Sequence, residues 1–109
     1  MIKRNQYIRD LQKKVLLSLL DVIILQSVKK KPKSGPDIIK QIDKEFNILF
    51  STGTLYPVLD KLKYQKLIKN KGKDKRRLFI ITKAGNNVRI LLTNHYLNIK
   101  KDLHLYLKK

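Results

Sequence analysis

Apolar residues recur along the chain in two rhythms, and the change between them divides it. From residue 5 to residue 29 the pattern predicts one helix, with "VLLSLLDVIILQSV" apolar almost all round and Asp21 its one charge. A helix that is apolar on every side must be covered on every side, more cover than one small domain supplies, so a partner subunit is expected there. "SGPDIIKQIDKEF" predicts a second helix. Ser34 or Gly35 caps it, Pro36 suits its first turn and Asp37 complements its dipole. Ile38, Ile39, Ile42 and Phe46 form its expected buried stripe. After a short "NILF" connection, Ser51 caps a third helix running to about Lys66, with Leu55, Val58, Leu59 and Leu62 on one face.

The rhythm then shortens. Leu67 to Lys71 and Leu78 to Thr82 alternate and are rich in β-branched and aromatic residues, with Gly72 and Asp74 between them, which predicts a β-hairpin. Helical spacing returns in "KAGNNVRILLTNHYLNIKKDLHLYLKK", capped by Thr82. Ala84, Val88, Leu91, Leu92, His95, Ile99, Leu103 and Tyr106 form a seam longer than a small domain covers. The fold class expected is mainly α with a small β-hairpin. It is one domain over residues 1–109, with a winged helix-turn-helix over about 5–82 and a C-terminal dimerisation helix over 83–109. The expected interface of a homodimer comprises Leu16, Leu20, Ile23, Val88, Leu91, Leu92, His95, Ile99, Leu103 and Tyr106.

Charge changes the picture most. Twenty-six Lys and Arg face eight Asp and Glu, a formal net charge of +18 in 109 residues. Such a field favours polyanions, nucleic acid before anionic membrane. Ten basic residues and two acidic ones lie between Asp60 and Lys83, so the charge concentrates on the hairpin and the helix before it. A membrane surface is the least favoured partner, because these cations sit on a hairpin rather than an amphipathic helix. The longest apolar stretch, Val15 to Val28, is too short and too polar to span a bilayer, and no cleavable signal pattern follows it. With no cysteine, disulfides and cysteine-ligated metals are excluded. His95 and His104 are nine residues apart on one helix and face opposite sides, so they share no metal within one chain. No phosphate-loop or dinucleotide fingerprint appears, and no base is placed to activate Ser51 or Thr52. No catalytic residue, metal or cofactor is expected, and the compartment expected is the cytoplasm, at the nucleoid.

The order helix, helix, helix, basic hairpin is the winged helix-turn-helix arrangement. In it the third helix presents its first turns to base edges in the major groove, and the wing lays cations along phosphates. "STGTLYPVLDKL" then poses a question, because Gly53 and Pro57 both lower helix propensity, proline by roughly 3 kcal/mol in a helix interior. On a helical wheel Gly53, Tyr56, Pro57, Asp60, Lys61 and Tyr64 point away from the apolar face. Gly53 permits close approach of DNA, Tyr56 offers a hydroxyl and a flat ring, and Thr52 and Thr54 flank backbone N–H groups that can meet a phosphate. The expected DNA contacts are Ser51, Thr52, Thr54, Tyr56, Pro57, Lys61 and Lys63, with Lys71, Lys73, Lys75, Arg76 and Arg77 on the wing.

"SGPDIIKQI", "STGTLYPVLDKLKYQKLI" and "RRLFIITKAG" resemble the PadR family of winged-helix transcription regulators, from about Val22 to Leu92. The most specific part is "GTLYPVLDKL", with a glycine, a tyrosine and a proline at set intervals inside a helix. The resemblance implies a homodimer held by the terminal helices and repression at a roughly palindromic operator. It places Tyr56, Thr54 and Lys61 at DNA-facing positions and Arg76 and Arg77 at the wing. The sequence departs from the family in three places. Asp60 stands where a basic residue is common, and an acid there turns aside, accepts from a cytosine amine or pairs with Lys61, Lys63 or Tyr64. Ser34 and Pro36 replace an aromatic, histidine-containing helix start. The single C-terminal helix resembles a compact subtype, and with no tryptophan to line a dimer cavity a small-molecule effector does not carry over. The expected function is therefore a sequence-specific, double-stranded-DNA-binding regulator. Two alternatives are a low-specificity architectural protein, favoured by the 21 lysines against five arginines, and an RNA-binding or protein-interaction winged helix.

Overall fold

The computed structural model describes residues 4–72 and 77–109. Five helices and a two-stranded sheet follow in the order α1 (Arg4–Ser18), α2 (Leu20–Ser27), α3 (Gly35–Phe46), α4 (Thr52–Tyr64), β1 (Ile68–Asn70), β2 (Phe79–Ile81) and α5 (Lys83–Leu107).

The single first helix expected over residues 5–29 is two helices. The Ser18 hydroxyl donates to the Val15 carbonyl at 2.6 Å, taking the acceptor that the Leu19 N–H would use in a continuous helix. Leu19 N–H turns instead to Leu16 O at 3.2 Å, and the helical ladder resumes with Ile23 N–H donating to Leu19 O at 2.9 Å. The break separates two environments. From α2, Leu20, Ile24 and Leu25 are fully buried, whereas α1 buries only Leu16.

Local chemistry sets the starts of the other helices. Ser34 and Asp37 form a reciprocal capping box at α3: the Ser34 hydroxyl accepts from Asp37 N–H at 3.2 Å, and Ser34 N–H donates to the Asp37 carboxylate at 3.1 Å. Ser51 caps α4 by accepting from Thr54 N–H at 3.2 Å, and Thr82 caps α5 by accepting from Gly85 N–H at 2.9 Å. At the far end of α4, Leu67 N–H bonds Leu62 O and Lys66 N–H bonds Lys63 O, with Lys66 in the left-handed region at φ 62°. This is a Schellman closure, and it ends α4 at Tyr64, two residues before the expected end.

The hairpin pairs β1 and β2 antiparallel in the register Ile68 with Ile81 and Asn70 with Phe79. A third segment joins its edge. Lys33 and Phe79 exchange two backbone hydrogen bonds of 3.1 and 2.8 Å, tying the α2–α3 loop to the wing. The core gathers under this framework: Ile24, Leu25 and Val28 of α2, Ile38 and Ile42 of α3, Leu55, Leu59 and Leu62 of α4, and Ile68 and Phe79 of the hairpin. Ile48 and Phe50, in the α3–α4 connection, are buried with them. Phe46, expected in the buried stripe of α3, is exposed at its end.

At the rear, α5 lies against α2, where Arg89 donates to Gln26 Oε1 at 3.1 Å and to Asn86 at the base of its own helix. Of its 25 residues only Gly85 is buried. α1 is anchored at the end of α3, where Arg9 and Gln12 donate to the carbonyls of Asn47 and Phe46 at 3.2 and 3.1 Å. Among the described residues no helix is long and apolar enough to cross a membrane.

Candidate nucleic-acid interface

The face that α4 turns outward is built from its first three turns. Leu55 and Leu59 are fully buried beneath it and Val58 is half-buried. Ser51, Thr52, Gly53, Pro57, Asp60, Lys61, Lys63 and Tyr64 are exposed, Tyr64 at 88%. Stepping by about 100° per residue, Gly53, Pro57, Asp60 and Tyr64 share the ridge opposite the buried side. Pro57 carries no N–H, so the Gly53 carbonyl four residues before it receives no helical hydrogen bond.

The polar groups at the start of this helix are partly engaged. Ser51 Oγ and Thr54 Oγ1 lie 3.1 Å apart, so the hydroxyl of half-buried Thr54 is already in the cap. Thr52 stands free of that pair and exposed.

Tyr56 departs from the sequence reading. It does not project freely with Gly53 and Pro57 but is half-buried, packed against the core. Its ring occupies the space that a side chain at Gly35 would need: a Cβ there would meet the Tyr56 hydroxyl and lie 2.7 Å from Cζ. Gly35 is the first residue of α3, so the Tyr56 ring locks the two helices of the helix-turn-helix together where both begin.

Beside α4, the wing presents Lys69, Lys71 and Arg77 to solvent. Lys71 N–H donates to Leu78 O at 2.8 Å, carrying the hairpin pairing beyond the strands, and Arg77 has a left-handed backbone at φ 49°. Lys73, Lys75 and Arg76 lie outside the described residues. Lys61 stands on the flank of α4, where it lines a crevice with Asp21, Gln65 and Val88. The structure thus brings Ser51, Thr52, Pro57, Lys61, Lys63, Lys71 and Arg77 to the surface of one helix and its adjoining wing.

A profile of the transcriptional regulator PadR-like family matches residues 24–89. The chain belongs to this family. Its members are transcription regulators rather than enzymes. Solved structures of similar fold include a PadR-family regulator from Eggerthella lenta, at 17% identity, a TM-score of 0.82 and 94% coverage of both chains. A PadR-like regulator from Bacillus cereus is 21% identical, with a TM-score of 0.77 and coverage of 88% of this chain and 98% of its own. A PadR-family regulator from Clostridium difficile is 24% identical, with a TM-score of 0.72 and coverage of 82% and 98%. No match was found among curated proteins.

The terminal helices of this PadR-like protein carry an apolar surface the sequence reading only partly located. Leu16 and Leu20, expected at a subunit interface, are withdrawn from it by burial in the chain's own core, at 7% and 1% exposure. Ile23 is half-buried against the same core. The apolar residues uncovered on α1 are Tyr7, Ile8, Leu11, Val15 and Leu17. Their spacing from Ile8 to Leu11 to Val15 is a legible helical signal, eclipsed by the stronger apolar run after it. On α5, Leu91, His95, Ile99, Leu103 and Tyr106 are exposed, with Val88 and Leu92 half-buried. Between the two lies an open groove of about 530 Å³ lined by Val15, Leu19, Val22, Leu92, Tyr96, Ile99 and Leu103 among others. Among the described residues no three or more His, Cys, Asp or Glu gather as a metal site would require.

Proposed function

We propose that this PadR-like protein is a homodimeric repressor that binds a roughly palindromic double-stranded operator on nucleoid DNA in the cytoplasm. The observation that carries the reading is the exposed start of α4 beside a cationic wing, in a chain of net charge +18. In this reading the first turns of α4 enter the major groove. Ser51 and Thr52 meet phosphate at the positive end of the helix, and Thr54, Pro57 and the exposed edge of Tyr56 border the bases. Lys61, Lys63, Lys71 and Arg77 hold phosphates on either side, as do Lys73, Lys75 and Arg76 of the wing loop. These cations supply affinity and little sequence information.

A homodimer is supported by the uncovered apolar residues of α1 and α5. A chain of this size exposing Tyr7, Ile8, Leu11, Ile99, Leu103 and Tyr106 has apolar surface to bury. A twofold pair would present two α4 helices, which is why a palindrome is expected.

Selection of bound sequences from a random duplex pool tests the reading. A palindromic consensus is expected, together with reduced in vitro transcription when that site overlaps a promoter. Neutralising Lys71 and Arg77 should weaken binding to all duplexes alike, lowering the slope of log K against log salt by about 0.9 per lost phosphate contact. The excess of lysine over arginine favours a second reading, low-specificity architectural binding, because lysine is the poorer bidentate base reader. A flat selection profile would establish that reading and remove the first.

A further inference from the structure

The outward ridge of α4 has an unusual chemistry for a surface that meets a polyanion. Its cations are displaced to the flanks. Lys61 sits in the crevice beside Asp21 and Val88, and Lys63 falls about 80° away from the ridge centre on a wheel of 100° steps. The Tyr56 ring is turned against Gly35, and the Thr54 hydroxyl is held by Ser51. What remains along the ridge is Gly53, Pro57 and Asp60, with exposed Tyr64 at its far end. Pro57 has no donor, Gly53 offers a carbonyl relieved of its helical hydrogen bond, and ionised Asp60 is an acceptor only. Between its two ends, where the Gly53 N–H and the Tyr64 hydroxyl can donate, the ridge presents no donor and one side-chain acceptor, Asp60.

We propose that Asp60 is a specificity-determining residue that reads a cytosine in each half-site through the exocyclic N4 amine. The inference rests on α4 being the major-groove helix. The major groove presents amine donors only on cytosine and adenine. Guanine offers two acceptors and thymine a carbonyl, and both repel a carboxylate. Adenine places the N7 acceptor beside its amine, against the second carboxylate oxygen, whereas cytosine places a C–H there. An acceptor at the centre of the ridge thus favours cytosine over the other three bases. It also weakens attachment to arbitrary DNA, because Asp60 repels phosphate wherever no cytosine meets it. A strongly basic protein thereby gains discrimination from one exposed acid.

The test is selection from a random duplex pool with the unaltered full-length protein, Asp60→Ala and Asp60→Asn, each first shown by circular dichroism to be folded. Asp60 is exposed, and the asparagine is nearly isosteric, so the comparison does not depend on tolerance of alanine. The unaltered protein should select cytosine at one position of each half-site. Asp60→Ala should leave that position open and the rest of the consensus intact. Affinity for the preferred site should fall roughly ten- to a hundredfold, while affinity for random duplex rises. Asp60→Asn should move the preference to adenine, whose N6 and N7 suit an amide. If both variants select the same consensus as the unaltered protein, Asp60 reads nothing and this inference is overturned, with operator binding left standing. If the unaltered protein selects no consensus, both fail together.

Discussion

A Cβ added at Gly85 would collide with the Leu67 carbonyl oxygen and lie 2.9 Å from the carbonyl carbon. The first turn of α5 is pressed directly against the chain entering the wing. Thr82 completes the joint: its hydroxyl lies 2.8 Å from Lys66 O and 3.1 Å from Leu67 O, and its N–H donates to Leu67 O at 3.1 Å. The sequence "ITKAG" is therefore a structural clasp between wing and last helix. Because the obstacle is backbone, it cannot rotate away. Gly85→Ala should cost about 3 kcal/mol or more, measured by urea unfolding, with Asn87→Ala on the exposed side as a near-neutral control. Equal stability of the two variants would show that the clasp does not exist.

Gly35 and Tyr56 form a second such pair, here with a side chain as the obstacle. Gly35→Ala should destabilise by about 1 to 3 kcal/mol. Tyr56→Leu removes the distal ring atoms and makes room for the added methyl. The double variant should then be more stable than the sum of the singles by about 0.5 kcal/mol or more. Strict additivity in unfolding experiments would argue that the ring does not fill that space.

Gly53 presents the opposite case. The nearest atom to an added Cβ is Ser51 Oγ at 3.8 Å, so the fold itself leaves room for a side chain. Gly53→Ala should therefore raise stability by about 0.5 to 1 kcal/mol while weakening operator binding. A variant that is more stable and binds DNA as well as before would show that no backbone approaches this turn closely.

The exposed apolar faces of α1 and α5 lead to a prediction about assembly. The unaltered protein should sediment as a dimer, and Leu92→Glu with Ile99→Glu should yield a monomer or an unfolded chain, because a buried unpaired carboxylate is strongly opposed. A folded monomer for the unaltered protein would end the dimer proposal.

Acid should loosen the start of α3. The Ser34 backbone N–H, and next its side chain, hold the Asp37 carboxyl below its ordinary value of 3.8, with Lys40 and Lys33 adding to the effect and slight desolvation opposing it. Folding lowers this pKa, so its contribution is fully present above the ordinary value and is lost as the pH falls through the folded one. Near neutrality Asp37→Asn should cost up to about 1 kcal/mol, the scale of a capping interaction. The gap between variant and parent should close in strong acid. A gap of constant size across that range would place the stabilisation elsewhere.

Much of this architecture was legible in the chain because its signals are local. Ser51 and Thr82 announce helix starts through hydrogen bonds that reach three residues onward, and Ser34 with Asp37 does the same reciprocally. The spacing of Leu55, Leu59 and Leu62 names the buried side of α4 without knowledge of what lies below it. The hairpin appears as a change of period, and the net charge of +18 names the class of partner. Other features depend on residues distant in sequence. The apolar run of residues 15–28 hides a break, because one hydroxyl, that of Ser18, takes a carbonyl from the helical ladder. Leu16 and Leu20 read as interface residues until the rest of the core is packed around them. Tyr56 reads as outward-facing until Gly35, 21 residues earlier, supplies the gap its ring fills. Lys33 joins the sheet only because Phe79 is brought to it. Periodicity and capping are decided within a turn or two, so the sequence by itself determines where helices begin and which side of each is apolar. Which of several apolar or aromatic residues is buried within the chain and which is left for a partner depends on the volume remaining once distant elements pack, and tertiary structure alone decides that.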